Sequence, residues 1–211
     1  MTSQDTSHDD RLFAAFYDRV SRTNSFRHDI DPWREQLARE ARGVVLEIGA
    51  GGGQNFLFYQ PDITERVEAV EPNRHMLRRA ESAAQEAPVP IHLTQSPAES
   101  LPFADAAFDS VLATMVFCSV DDPARAVGEI ARVLKPGGAL LLFEHVRSPR
   151  KFLARVQDWL TPFQRRLAGN CHLNRDTLSV ARAAGFNIEQ EEWGGGGLHP
   201  MVLLVARRSG G

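Results

Sequence analysis

Four glycines fall within five positions, Gly49, Gly51, Gly52 and Gly53, directly after the run Val44-Val45-Leu46-Glu47-Ile48. Glycines at this spacing let the backbone turn sharply and approach a ligand with no Cβ in the way. The run before them reads as a central parallel strand covered on both faces, and Glu47 stands near its C-terminal end, where such sheets bind ligands. A helix is expected to start at Gln54-Asn55-Phe56, with its N-terminus toward a bound nucleotide. The dinucleotide pattern G-x-G-x-x-G needs a glycine at position 54, where this chain has Gln54, and its own spacing is G-x-G-x-G.

A second strand, Arg66-Val67-Glu68-Ala69-Val70, delivers Glu71 to the same sheet edge. An acidic residue about twenty positions beyond the glycines can accept both ribose hydroxyls. Glu71 also fits a helix N-terminal carboxylate, because Pro72-Asn73-Arg74-His75 opens the next helix.

The acidic strand end and the tight loop together resemble motif I of the class I S-adenosylmethionine (SAM)-dependent methyltransferases of type 11. The segment Ser96 to Asp109 is similar to the stretch that passes the adenine in that family and enters the fourth strand. Family members often carry Asp where Pro97 stands, so the adenine contact here shifts to Glu99 or to the backbone of Ala98. Asp109 to Thr114 reads as strand four, Asp122 caps a helix that runs to Leu134, and Lys135-Pro136-Gly137-Gly138 turns into strand five, Ala139 to Phe143. The resemblance implies SAM as cofactor, held by Glu47, Gly49, Ala50, Gly51, Gly53, Asn55, Glu71, Pro72, Ala98, Glu99 and Thr114. It also implies a Rossmann-like α/β fold, a seven-stranded mostly parallel sheet in the order 3-2-1-4-5-7-6 with an antiparallel C-terminal hairpin.

Three further segments narrow the resemblance: Thr114 to Val120, Phe143-Glu144-His145-Val146 and Gly169 to Thr177. With the pattern from Asn55 to Pro61, they look like the branch that includes the animal alkyl-thiol S-methyltransferases. The acceptor this implies is a small, rather hydrophobic thiol. Quinone-ring methylation, N-methylation of a phospholipid amine and SAM binding without catalysis stay open, as does a nucleotide-dependent oxidoreductase, which Gln54 and the hairpin disfavour. A neutral imidazole can take a thiol proton or position the thiolate. His145, just after strand five, is the first candidate, His172 the second, and His199, Asp29 and Asp31 are weaker.

The elements that position these groups fit one domain. The chain has 211 residues, 43% hydrophobic and 24% charged, with a formal net charge of −3 that argues against nucleic-acid capture. Arg147 to Arg155 reads as a solvated basic loop and helix. Cys118 and Cys171 are expected as small buried residues forming neither a disulfide framework nor a metal-ligand cluster, which suits a reducing cytoplasm. No run is long enough to span a membrane, the polar stretch Met1 to Asp10 reads as a disordered tail, and the membrane-anchoring segment of the animal branch is not expected here. The domain is thus expected over 11–211, with 11–42 as a helical lid. Leu12, Phe13, Phe16 and Val20 form an amphipathic face within it, and a helix runs from Pro32 to Arg42 with Asp31 as its cap. Arg175 to Ala184 reads as a helix, Phe186 to Gln190 and Met201 to Ala206 as the terminal hairpin. Phe56, Phe58, Phe117, Trp159 and Trp193 line the acceptor pocket or the core.

Overall fold

A computed structural model describes residues 11–209. The expected disordered tail lies outside the described residues. The strands are β1 (Gly43–Ile48), β2 (Thr64–Val70), β3 (Ile91–Thr94), β4 (Phe108–Thr114), β5 (Leu134–His145), β6 (Phe186–Gly196) and β7 (His199–Arg208). They form one sheet in the order β3-β2-β1-β4-β5-β7-β6. The pairs from β3 to β5 are parallel and both pairs made by β7 are antiparallel. The order and the hairpin are those the family resemblance implied.

Alternation along the central strands builds two cores. Leu46, Val111 and Leu140 face one side with Val127 and Ile130 of α4 (Pro123–Val133) and Ala181 of α6 (Thr177–Ala183). Val45, Leu112 and Leu141 face the other, against Leu37 of α2 (Asn24–Ala38) and Ala80 of α3 (Arg74–Glu86). Each fully buried Leu or Val contributes about 1.5–3 kcal/mol, and a register slip of one residue would exchange the two faces.

Several elements differ from expectation. α2 begins at Asn24 behind Thr23, whose Oγ1 accepts from the Phe26 N–H, and Pro32 lies inside the helix. Asp31 is therefore no cap; it pairs with Arg27 and Arg34, each at 2.9 Å. Trp33, stacked 5.2 Å from Phe143, and buried Leu37 hold the helix past the proline. The helix expected at Gln54 is only a 3-10 turn, Phe56–Phe58, because Phe56 and Tyr59 turn into the core and Tyr59 leaves in an extended conformation two residues before Pro61. β5 already pairs at Leu134, with a register shift where Lys135 to Gly138 was read as a turn.

α1 (Arg11–Ser21) buries Ala14 and Ser21, while Leu12 and Phe16 of the expected apolar face are exposed at 81% and 61%. α5 (Lys151–Leu167) is likewise turned out. Its buried residues are Ala154, Gln157 and Thr161, and Phe152, Trp159, Phe163 and Leu167 face solvent. Gln157 ties this helix down: its Oε1 accepts from Ser148 N–H and its Nε2 donates to the carbonyls of Val146 and Leu198. No described helix is long and apolar enough to cross a membrane.

Candidate active site

The C-terminal strand ends converge on the glycine loop. At the end of β1, Glu47 is buried, with Oε2 accepting from the Tyr59 hydroxyl at 2.6 Å and Oε1 from Asn55 Nδ2 at 3.0 Å. The same Asn55 amide donates to Thr114 Oγ1 at the end of β4, 3.2 Å away. Three of the sequence-predicted residues thus form one buried network, and Tyr59 is a fourth member with no motif to announce it. Burial pushes the Glu47 carboxyl up to about 7 against the pull of the Tyr59 and Asn55 bonds.

Gly49, Gly51 and Gly53 all have positive φ, at 66°, 58° and 81°. A Cβ on Gly49 would lie 2.5 Å from Val116 Cγ2, so the loop runs against the chain leaving β4 and only glycine fits there. Glu71 Oε2 accepts from Gly51 N–H at 2.9 Å and Oε1 from Asn73 N–H at 2.9 Å. The cap of α3 is Asn73, whose Oδ1 accepts from the His75 and Met76 amides, so Glu71 does not serve that purpose. Ala50 and Ala98 are buried nearby, and the Pro72 carbonyl accepts from Gln95 Nε2. Glu99 is drawn elsewhere: Oε1 accepts from the amides of Asp121 and Asp122 at 2.9 and 3.2 Å.

Beyond β4 the chain passes through Met115, which has φ 59°, and this turns the Val116 and Phe117 amides onto Glu144 Oε1 at 2.8 and 3.1 Å. Glu144 is 0% exposed and its Oε2 has no partner. Burial, then the nearby Cys118, pushes its carboxyl well above the usual range. A charged residue interrupting the apolar run Leu140 to Val146 was the signal for it. Tyr17 of α1 lies within electrostatic reach of Arg34, Cys118, Glu144 and Glu71, and burial pushes its hydroxyl up to about 12. α1 is fastened over the loop by Asp18 to Arg79 at 2.9 Å, and by Gln54, which donates to Ser21 Oγ and accepts from Gly52 N–H.

His145 is buried at the end of β5, and its Nε2 has no partner. Its donor atom and those of Cys118 and Cys171 lie within 4.8 Å of one another, a juxtaposition the spacing of the two cysteines in the sequence did not announce. The loop after α5 brings Cys171 there. His172 N–H donates to the Cys118 carbonyl at 2.7 Å, Asn170 Nδ2 to that of Ser119 at 3.0 Å, and Arg175 to that of Val120 at 2.7 Å. The Cys118 thiol donates to the Met115 carbonyl at 3.7 Å; the adjacent Cys171, then burial, raises Cys118, and the Cys118 side chain in turn lowers Cys171. The His172 ring sits against the Cys118 carbonyl and the Arg175 guanidinium, and burial, then Arg175, lowers its pKa. His199 is exposed, with its ring 6.2 Å from that of His145. Asp29 is exposed and Asp31 is held in its ion pairs. The five aromatics do not share a pocket: Phe56 and Phe117 are core residues, Phe58 is half-buried, and Trp159 and Trp193 are exposed. A groove of about 720 Å³ lies between α4 and α6 and shares His172 and Arg175 with the site.

Comparison with known proteins agrees with this geometry. Residues 46–142 match the family described as "Methyltransferase domain". Thiol S-methyltransferase TMT1B of Rattus norvegicus is 34% identical over 154 residues, 71% of this chain and 62% of that protein. Phosphatidylethanolamine N-methyltransferase of Cereibacter sphaeroides is 33% identical over 127 residues, 59% of this chain and 62% of that protein. The chain thus spans less than two thirds of the length of these relatives. The crystal structure of YcgJ protein from Bacillus subtilis superposes with a TM-score of 0.69 at 20% identity, covering 86% of this chain and 100% of that one.

The residues present fit SAM. The positive-φ glycines leave the backbone bare beside the Glu71 carboxylate, and the buried polar atoms Asn55 Oδ1 and Glu144 Oε2 have no partner within the protein. This chain belongs to the class I SAM-dependent methyltransferases.

Proposed function

We propose that the chain methylates a small, rather hydrophobic acceptor and that the preferred acceptor atom is a thiol sulfur. The observation that carries this reading is His145, a buried ring with an unpartnered Nε2 beside two thiols at the strand ends that hold the cofactor loop. The relatives named thiol S-methyltransferase support it. Glu71 accepts the ribose hydroxyls, while Gly49, Ala50, Gly51 and Gly53 bring the backbone to the ligand. Pro72 and the Ala98 backbone border the adenine, with Glu99 beside them, its Oε1 held by the amides of Asp121 and Asp122. Glu47, Asn55 and Thr114 hold the loop in shape. The bound cofactor supplies a methyl group already activated on a sulfonium. His145 takes the proton of a thiol whose ordinary pKa is about 8.5, and His172 fixes the loop that completes the acceptor side. Residues 11–42 act as a lid on a single domain, with Tyr17 within electrostatic reach of Glu71 and Glu144. Two free cysteines suit a cytoplasmic enzyme whose partner is a small molecule. The test is S-adenosylhomocysteine release with an alkyl thiol against phenol, quinol and amine acceptors.

A second reading, a lipid amine as acceptor, has its own observation. α5 turns Phe152, Trp159 and Phe163 to solvent beside Lys151, Arg155 and Arg166, the arrangement of a helix that lies on an anionic surface. Turnover on phosphatidylethanolamine vesicles but not on thiols would select it.

A further inference from the structure

The cluster of Cys118, Cys171 and His145 holds more donor atoms than proton transfer uses. We propose that these three side chains bind one thiophilic divalent ion of the zinc class, with a fourth position left open on the acceptor side. Their donor atoms already lie within 4.8 Å of one another. Tetrahedral zinc, with Zn–S about 2.3 Å and Zn–N about 2.0 Å, spaces its donors by roughly 3.4–3.8 Å, so a contraction of about 1 Å closes the set.

His145 Nε2 supplies the second, independent observation, because it is buried and has no hydrogen-bond partner. A disulfide between the cysteines would leave that nitrogen as it is; a metal ion satisfies all three side chains. The frame is also built. Cys171 sits on a loop pinned to the Cys118 loop through the carbonyls of Cys118, Ser119 and Val120. Two sulfurs and an imidazole select zinc-class ions over calcium or magnesium, which take oxygen ligands. Three protein ligands with one open position is the arrangement of catalytic rather than structural zinc.

The role of that open position rests on the thiol reading above. An acceptor thiol that coordinates there loses its proton to solvent. Its sulfur then forms the new C–S bond as the S–CH3 bond of the sulfonium breaks, giving the methyl thioether and S-adenosylhomocysteine. His145 then holds the ion instead of taking the proton.

The experiment is a titration of the reduced, metal-stripped full chain with Co²⁺ and then Zn²⁺, following thiolate-to-cobalt charge-transfer absorbance. The expected result is a band that saturates at one equivalent, is displaced by Zn²⁺, and is lost in Cys171→Ser while SAM affinity is retained. Cys171 is half-buried on a loop, and the SAM measurement reports that the variant is folded. Absence of the band, or a band unchanged in Cys171→Ser, overturns the proposal. Stoichiometric metal binding without thiol turnover leaves this site standing and removes the thiol reading. Full thiol turnover in protein that binds neither ion does the reverse.

Discussion

The Tyr59 hydroxyl lies 2.6 Å from Glu47 Oε2, and both groups are buried where β1 ends and the glycine loop begins. The bond joins the 3-10 turn to the sheet, so it fixes the exit of the loop as well as the carboxyl. Tyr59→Phe is expected to lower stability by about 1–3 kcal/mol, the cost of leaving a buried acceptor unsatisfied. Urea unfolding checks this, and an unchanged midpoint would show that the contact carries no energy.

The same carboxyl predicts a pH dependence. Its folded pKa, about 7, lies above the ordinary 4.5, so the folded chain binds the extra proton. Stability from this group is complete below about 4.5, falls as pH rises toward 7, and levels off above it. Glu47→Gln should abolish that part of the slope, worth on the order of 3 kcal/mol across the window. Parallel stability profiles for the two proteins would contradict the assignment.

Cofactor binding should fail in two distinguishable ways. Glu71→Gln keeps the size of the side chain but removes the charge that meets the Gly51 and Asn73 amides. We expect SAM affinity to fall by roughly 10- to 100-fold, which corresponds to about 1.5–3 kcal/mol. Gly49→Ala should lose binding through the 2.5 Å approach to Val116 and through left-handed backbone that costs on the order of 1–2 kcal/mol for a residue with a Cβ. Calorimetric titration reads both; wild-type affinity in Glu71→Gln would remove the ribose assignment.

The Asp18–Arg79 latch on α1 makes a different prediction. Arg79→Ala breaks the bridge to Asp18, a bond worth about 0–1 kcal/mol at the surface, so global stability should hardly move. Amide exchange across α1 should nevertheless quicken, and the KM for SAM should change more than kcat. Unaltered exchange in residues 11–21 would show that the latch does not hold the helix.

Much of this was readable in the chain because its signals are local. The run Val44 to Gly53 gave the central strand and its loop, and Asp122 and Gly185 bracketed the α4 and α6 region through their turn chemistry. What escaped depends on contacts between distant segments. Tyr59 reaches Glu47 only because the expected helix collapses to a single turn, and Cys171 meets Cys118 only because Asn170, His172 and Arg175 tie their loops together. Thr23 captured the start of α2 from Asp31 because tertiary packing by Trp33 and Leu37 outweighs the proline within the helix. α1 misled because an amphipathic pattern says that a helix has an apolar face, not that this face points inward.

The central claim, methyl transfer to a thiol at the His145 end of the sheet, is tested most directly by S-adenosylhomocysteine release with saturating SAM and an alkyl thiol, in wild type and in His145→Ala. The account predicts thiol-selective turnover that drops by roughly 10²- to 10⁴-fold in the variant, the usual weight of a group that deprotonates the acceptor directly or through an ion it holds, with SAM affinity unchanged. Turnover confined to a non-thiol acceptor, or equal thiol rates in the two proteins, would contradict it.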